Sequence, residues 1–240
     1  MRKIFLLLSL IAFALSAFYG CKKDDVADPE MVDSCGIYLG IIGFNYEQDV
    51  KDISLLTKSN QSDFNRFIDN LTMGNGTGLY YADYMALNML NEYDMPPNLK
   101  NVVLVTFTDG FDNCSLDDAL NPEHYSNNVE YREALHSRIL TPIHGVNVSA
   151  YSIGLRGNDV SDANVFIESL RSLSSDNSNV FDMSYMGQVQ QAFVTIASKI
   201  NNEEKSSTLI ILVLDCTTSL GNDFGNMQNA AKGFVEALLN

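Results

Sequence analysis

The chain is short of the residues that most exported or catalytic proteins lean on. It has four cysteines and three histidines in 240 residues. Setting Cys21 aside, Cys35, Cys114 and Cys216 are odd in number. At least one thiol therefore stays free in a monomer, which excludes a disulfide framework. No two cysteines have zinc-site spacing, and His124, His136 and His144 form no metal cluster. Basic residues are scarce too: 15 Lys and Arg stand against 30 Asp and Glu, a net charge of −15. Such a surface repels phosphate backbones and anionic headgroups, which excludes nucleic acid as a partner. There is no G-x-S-x-G elbow, no P-loop, and no D-x-D at the end of a strand, since Thr217 takes the second position. No histidine is placed by a motif as a general base. These absences point away from an enzyme, and a hydrolase ranks a distant third among the readings below.

Long apolar runs are also missing. Arg2 and Lys3 precede an apolar stretch from Ile4 to Ala17, 14 residues. A membrane-spanning helix needs about 20, so the stretch reads as a secretory signal. The signal ends in Phe18-Tyr19-Gly20-Cys21. Gly before Cys resembles the lipobox of bacterial lipoproteins, which implies cleavage after residue 20 and acylation of Cys21; ordinary cleavage near Ala17 is the other reading. Lys22-Lys23-Asp24-Asp25 resembles the charged tag that sends some lipoproteins to the outer face of two-membrane bacteria. The expected place is thus the cell envelope, with the chain lipid-anchored to the outer membrane. Without Arg2 and Lys3 the mature chain keeps 13 basic against 30 acidic residues, a net of −17.

Residues 21–34 are polar, carry Pro29 and show no periodicity, as expected of a tether. From residue 35 to 240 the chain alternates strand-like and helix-like segments. Gly36 to Phe44 is an apolar run of strand length, and Val50 to Leu56 alternates like a half-exposed edge strand. A helix with a Ser62 cap carries Phe64, Phe67, Ile68 and Leu71 at helical spacing. A second helix is expected from about Leu79 to Glu92, and further strands within residues 101–110, 145–155 and 179–183. Helices near residues 129–140, 162–173 and 187–200 separate them. The unbroken run Thr208 to Leu214 and a helix through Phe224, Met227, Ala231, Phe234 and Leu238 come last. This alternation predicts one α/β domain with a doubly wound, mostly parallel six-stranded sheet and helices on both faces.

Three short motifs sit where strands or loops run into helices. They are Asp215-x-Thr217-x-Ser219, the loop Gly74-x-Gly76-Thr77, and Thr108-Asp109-Gly110. In a doubly wound sheet, loops at the carboxyl ends of neighbouring strands converge at the switch point. Two carboxylates and three hydroxyls meeting there are hard oxygen donors, suited to Mg²⁺ or Mn²⁺ and not to zinc. Singly each motif is weak: a helix cap, a turn or a flexible loop explains it as well.

Together the motifs resemble the metal-ion-dependent adhesion site of von Willebrand factor A domains. Asp215, Thr217 and Ser219 match the family's D-x-S-x-S, with Thr for the first Ser. Thr77 matches its loop threonine and Asp109 its second aspartate. The resemblance covers residues 35–240 and implies a Mg²⁺ or Mn²⁺ held by these five residues. It implies a protein partner offering a carboxylate to the ion, with Gly76, Gly110, Phe111 and Asp112 facing that partner. The alternative is a metal-free structural component of an envelope assembly. Family members begin with the D-x-S-x-S strand and helix, whereas here that pair comes last. The resemblance therefore implies a circular permutant, its former ends joined through residues 201–207; a strand swapped from a neighbouring molecule satisfies the same sequence. Cys114 and Cys216 would lie on the metal-facing loops, either paired or as separate thiols.

Overall fold

The computed structural model describes residues 35–156, 162–201 and 206–240. The signal, Cys21, the tether and most of the expected 201–207 link lie outside the described residues.

The chain opens with β1 (Ile37–Phe44) and β2 (Gln48–Leu56), then α1 (Gln61–Asn70) and α2 (Leu79–Glu92). β3 (Leu99–Thr108), α3 (Asn128–Ile139), β4 (Val148–Leu155) and α4 (Ala163–Ser172) follow. β5 (Val180–Met183), α5 (Met186–Asn201), β6 (Ser207–Asp215) and α6 (Phe224–Ala237) complete it. The six strands form one sheet in the order β2-β1-β6-β3-β4-β5. β2 runs antiparallel to β1, and every other neighbouring pair is parallel.

The last strand in the sequence sits near the middle of the sheet. β6 pairs with β1 from Thr208 opposite Ile37 to Asp215 opposite Phe44, and with β3 on its other side. All nine of its residues are buried, which is why its sequence is a continuous apolar run with no alternation. β2 lies at the edge and is mostly exposed or half-buried, but the expected alternation is corrected. Only Ile53 and Leu56 are buried, three apart, and Val50 is exposed, because the pairing with β1 shifts register between Leu39 and Ile41. Successive strand residues point to opposite faces, and β6 divides accordingly. Ile210, Leu212 and Leu214 join one buried cluster with α1, α5 and α6 residues such as Phe64, Phe193 and Phe234. Leu209, Ile211 and Val213 join a second with α2 and α3 residues such as Leu87 and Leu135.

Side-chain caps set the starts of two helices. The Asn127 side chain accepts from Val129 N and Glu130 N at 3.0 Å each, capping α3. Asp162 does the same for α4 through Asn164 N and Val165 N. The expected Ser62 cap is corrected: α1 already begins at Gln61 after Asn60. Asn60 makes no cap bond, because its amide closes the preceding turn. Its Oδ1 accepts from Thr57 N and its Nδ2 donates to Leu55 O, both at 2.8 Å.

Candidate metal centre

The parallel register of β3 and β6 sets Phe107 opposite Leu214. Both strands therefore end together, and Thr108, Asp109 and Asp215 emerge side by side. Asp215 is fully buried. Its Oδ1 accepts from Thr217 N at 2.9 Å. Its Oδ2 accepts from Thr108 Oγ1 at 2.8 Å and Asp109 N at 3.3 Å. One carboxylate thus ties the loop after β6 to the end of β3. Asp109, also buried, accepts through Oδ1 from Ser219 Oγ at 2.8 Å and Thr217 Oγ1 at 3.3 Å. The Thr217 and Ser219 hydroxyls stand 2.5 Å apart.

Four of the five expected ligands therefore form one hydrogen-bonded cluster. The fifth, Thr77, is buried beside it on the glycine-rich loop, and among the described residues its hydroxyl is outside that network. Its backbone is fixed by Asn113: Thr77 N donates to Asn113 Oδ1 at 2.8 Å and Asn113 N donates to Thr77 O at 3.0 Å. Gly74 N donates to Cys216 O, and Thr218 N donates to Gly74 O, both at 2.9 Å. These two bonds flank Thr217 and stitch the loop to the Asp-x-Thr-x-Ser segment. Gly76 sits at φ +81°, where a β-carbon is disfavoured, so the loop needs glycine there to reach Thr77.

Of the four residues expected to face a partner, three keep partial exposure. Gly76 and Gly110 are half-buried, and Phe111 is half-buried with its ring edge-on to Phe166 at 5.6 Å. Asp112 is corrected. It is buried, and its carboxylate accepts from Tyr80 N at 3.2 Å and from Ser115 N and Oγ. Tyr80 lies in the first turn of α2, where orphan amides draw in an anion. A carboxylate spent there is not offered to a partner. Cys114 and Cys216 are both buried free thiols. Burial, followed by nearby carboxylates, pushes Cys114 to about 11 and raises Cys216 as well.

The electrostatics of the cluster follow from burial. Desolvation, then the charge of Asp215, raises Asp109 to about 7, while hydroxyl hydrogen bonds pull the other way. Desolvation likewise raises Asp215, opposed by Thr217 and Thr108. Two buried carboxylates this close share a proton or take a cation. Residues 45–47, 72–78, 109–118 and 216–223 contain no Lys, Arg or His to supply that charge. Among the described residues no group of three or more His, Cys, Asp or Glu is arranged for a metal. The donor set here is instead two carboxylates with hydroxyls, which fits a hard cation that keeps waters.

Thr108 and Asn75 lie within the motifs and Asn113 outside them, and none of the three is among the expected ligands; Asn75 Oδ1 accepts from Thr218 Oγ1 at 3.2 Å. Thr108 had a signal: Thr106 and Thr108 interrupt an apolar strand at a spacing of two, on one face. Asn113 and Asn75 had none, since loop contacts leave no periodicity. No helix among the described residues is long and apolar enough to cross a membrane. No protein family, curated protein or solved structure matches the chain.

Proposed function

We propose that the chain is a circularly permuted von Willebrand factor A domain that binds a protein partner through a divalent ion, Mg²⁺ or Mn²⁺. The observation that carries this reading is the cluster of Asp109, Asp215, Thr217 and Ser219 at the joined ends of β3 and β6. Asp109, Asp215, Thr217 and Ser219 would hold the ion, with Thr77 completing the set from its loop. The ion supplies an electrophilic position for an outside carboxylate. The residues of this chain would hold it, keep water from Asp215, and brace one another through Thr108 and Asn113. In this reading the module is not an enzyme.

Strand order supports the permutation. Counting β6 first and the other strands in chain order turns β2-β1-β6-β3-β4-β5 into 3-2-1-4-5-6, a doubly wound order. In the same reading the two buried clusters are helix layers on both faces of the sheet. The lipid on Cys21 would anchor the domain to the outer membrane. Residues 22–34 span at most ~45 Å when extended and enter at the amino end of β1. The metal face, at the carboxyl ends, would then point away from the bilayer.

A metal-free structural component of an envelope assembly is the second reading. The observation favouring it is that the Thr217 and Ser219 hydroxyls already bond Asp109, so a shared proton alone closes the cluster. Calorimetric titration with Mg²⁺ separates the two. The metal reading expects one ion per chain, lost in Asp215→Ala and Asp109→Ala and only weakened in Thr77→Ala, whose hydroxyl carries no formal charge. Heat of dilution alone from the wild-type protein leaves the second reading standing.

A further inference from the structure

The four segments around the candidate centre are one-sided in charge. Besides Asp109 and Asp112 they carry Glu47, Asp117, Asp118 and Asp223, with no basic residue among them, and Asp215 directly precedes the last segment. Glu47, Asp117 and Asp118 are exposed and Asp223 is half-buried. Among the described residues the ion pairs lie elsewhere, between Arg66 and Asp63, Arg156 and Asp182, Arg171 and Glu168, and Lys232 and Asp69. A divalent ion would neutralise Asp109 and Asp215 and leave the outer acids uncompensated.

Apolar side chains stand among these acids. Tyr46, Met73 and Leu116 are 42%, 44% and 36% exposed. They belong to the same loop cluster as the centre: Tyr46 N donates to Asn75 O at 3.1 Å. A β-carbon at Gly76 would lie 3.2 Å from Tyr46 and 3.3 Å from the Cys114 sulfur. Exposed apolar groups on the same loops as exposed acids mark a contact surface of definite sign.

We infer that the partner reaches this centre with a carboxylate that is itself flanked by Lys or Arg on an otherwise apolar stretch of protein. The inference rests on the metal reading above and adds the partner's chemistry. The carboxylate goes to the ion. The flanking cations meet Glu47, Asp117 and Asp118, and the apolar side chains cover Tyr46, Met73 and Leu116. Tyr46 also offers a cation its aromatic face. An acidic partner surface is repelled by these acids, so they select as well as attract.

The test uses the Mg²⁺-loaded protein and short synthetic peptides of one length, each with a central glutamate among leucines. Only the flanks differ: lysine, serine or glutamate. Nuclear magnetic resonance titration reads affinity, and calorimetry reads Mg²⁺ binding on the same sample. The lysine-flanked peptide is expected to bind about tenfold more tightly than the serine-flanked one. The preference should fade between about 0.05 M and about 0.5 M salt. It should also vanish in the triple variant Glu47→Gln, Asp117→Asn, Asp118→Asn, which keeps its Mg²⁺ binding. Mg²⁺ bound normally with no preference among flanks, or no peptide bound at all, overturns the inference and spares the metal centre. Absence of Mg²⁺ binding overturns both.

Discussion

Four buried aspartates meet burial in different ways. Asp112 is satisfied by the amides of α2 and by Ser115, and burial raises it only to about 6. Asp109 and Asp215 are raised and mutually repelling, a state that a cation or a shared proton relieves. Asp83 has neither remedy. It lies on the buried side of α2, its Oδ1 accepts from Thr106 Oγ1 at 2.7 Å, and among the described residues its Oδ2 has no partner. Burial moves its pKa from 3.8 to about 7. A carboxyl raised on folding favours the protonated native state. Its contribution is therefore present below pH ~4 and is lost as pH rises through ~7. Asp83→Asn should leave stability near pH 4 almost unchanged and raise it by about 1–3 kcal/mol near pH 8, where the wild type buries a charge. Urea denaturation at both pH values measures this; an equal effect at both would show that Asp83 does not titrate in the native state.

At the scale of elements, strands were legible where burial imposed one pattern on every residue. The run Leu209 to Leu214 has one reading as a strand covered on both faces, and β6 spans Ser207–Asp215. Val50 to Leu56 does form the edge strand β2, but without the expected alternation, since a register shift against β1 buries Ile53 and Leu56 and leaves Val50 exposed. Helix starts were less legible, because a polar side chain has several backbone groups within reach. Ser62 looked like a cap, yet Asn60 precedes the helix and spends its amide on a turn. Asp112 looked like a loop-tip residue because its partner, the start of α2, is 32 positions away. Such pairings carry no sequence period. Asp83 did carry one, since it falls with Ala82, Ala86, Leu87 and Leu90 on the buried face of α2. The place of β6 between β1 and β3 makes a strong prediction. A chain ending at Asn201 loses the strand to which both halves of the sheet are bonded, and should show no cooperative thermal transition in calorimetry. A sharp transition from that fragment would make residues 206–240 an appendage.

For the whole molecule, the sequence places last the strand that the sheet places centrally. Parallel strands joined by crossover helices return the chain to the same edge each time. β6 and β1 start together, with Thr208 opposite Ile37. α6 leads the C-terminus back toward that edge. A rearranged chain with residues 206–240 placed before residues 35–201, joined by a short Gly-Ser linker, should therefore fold to the same sheet. The permutation account expects a melting temperature within about 5 °C of the parent and the same Mg²⁺ stoichiometry. A molten product would mean that the present order is required, and not merely one of two. The central proposal is narrower: Asp109 and Asp215 would hold a divalent ion. Anomalous diffraction from crystals grown with Mn²⁺ tests it most directly. The account predicts one strong peak within ligand distance of both carboxylates, contacted by Thr217 and Ser219. A peak elsewhere, or none at this position in well-ordered crystals, would contradict it.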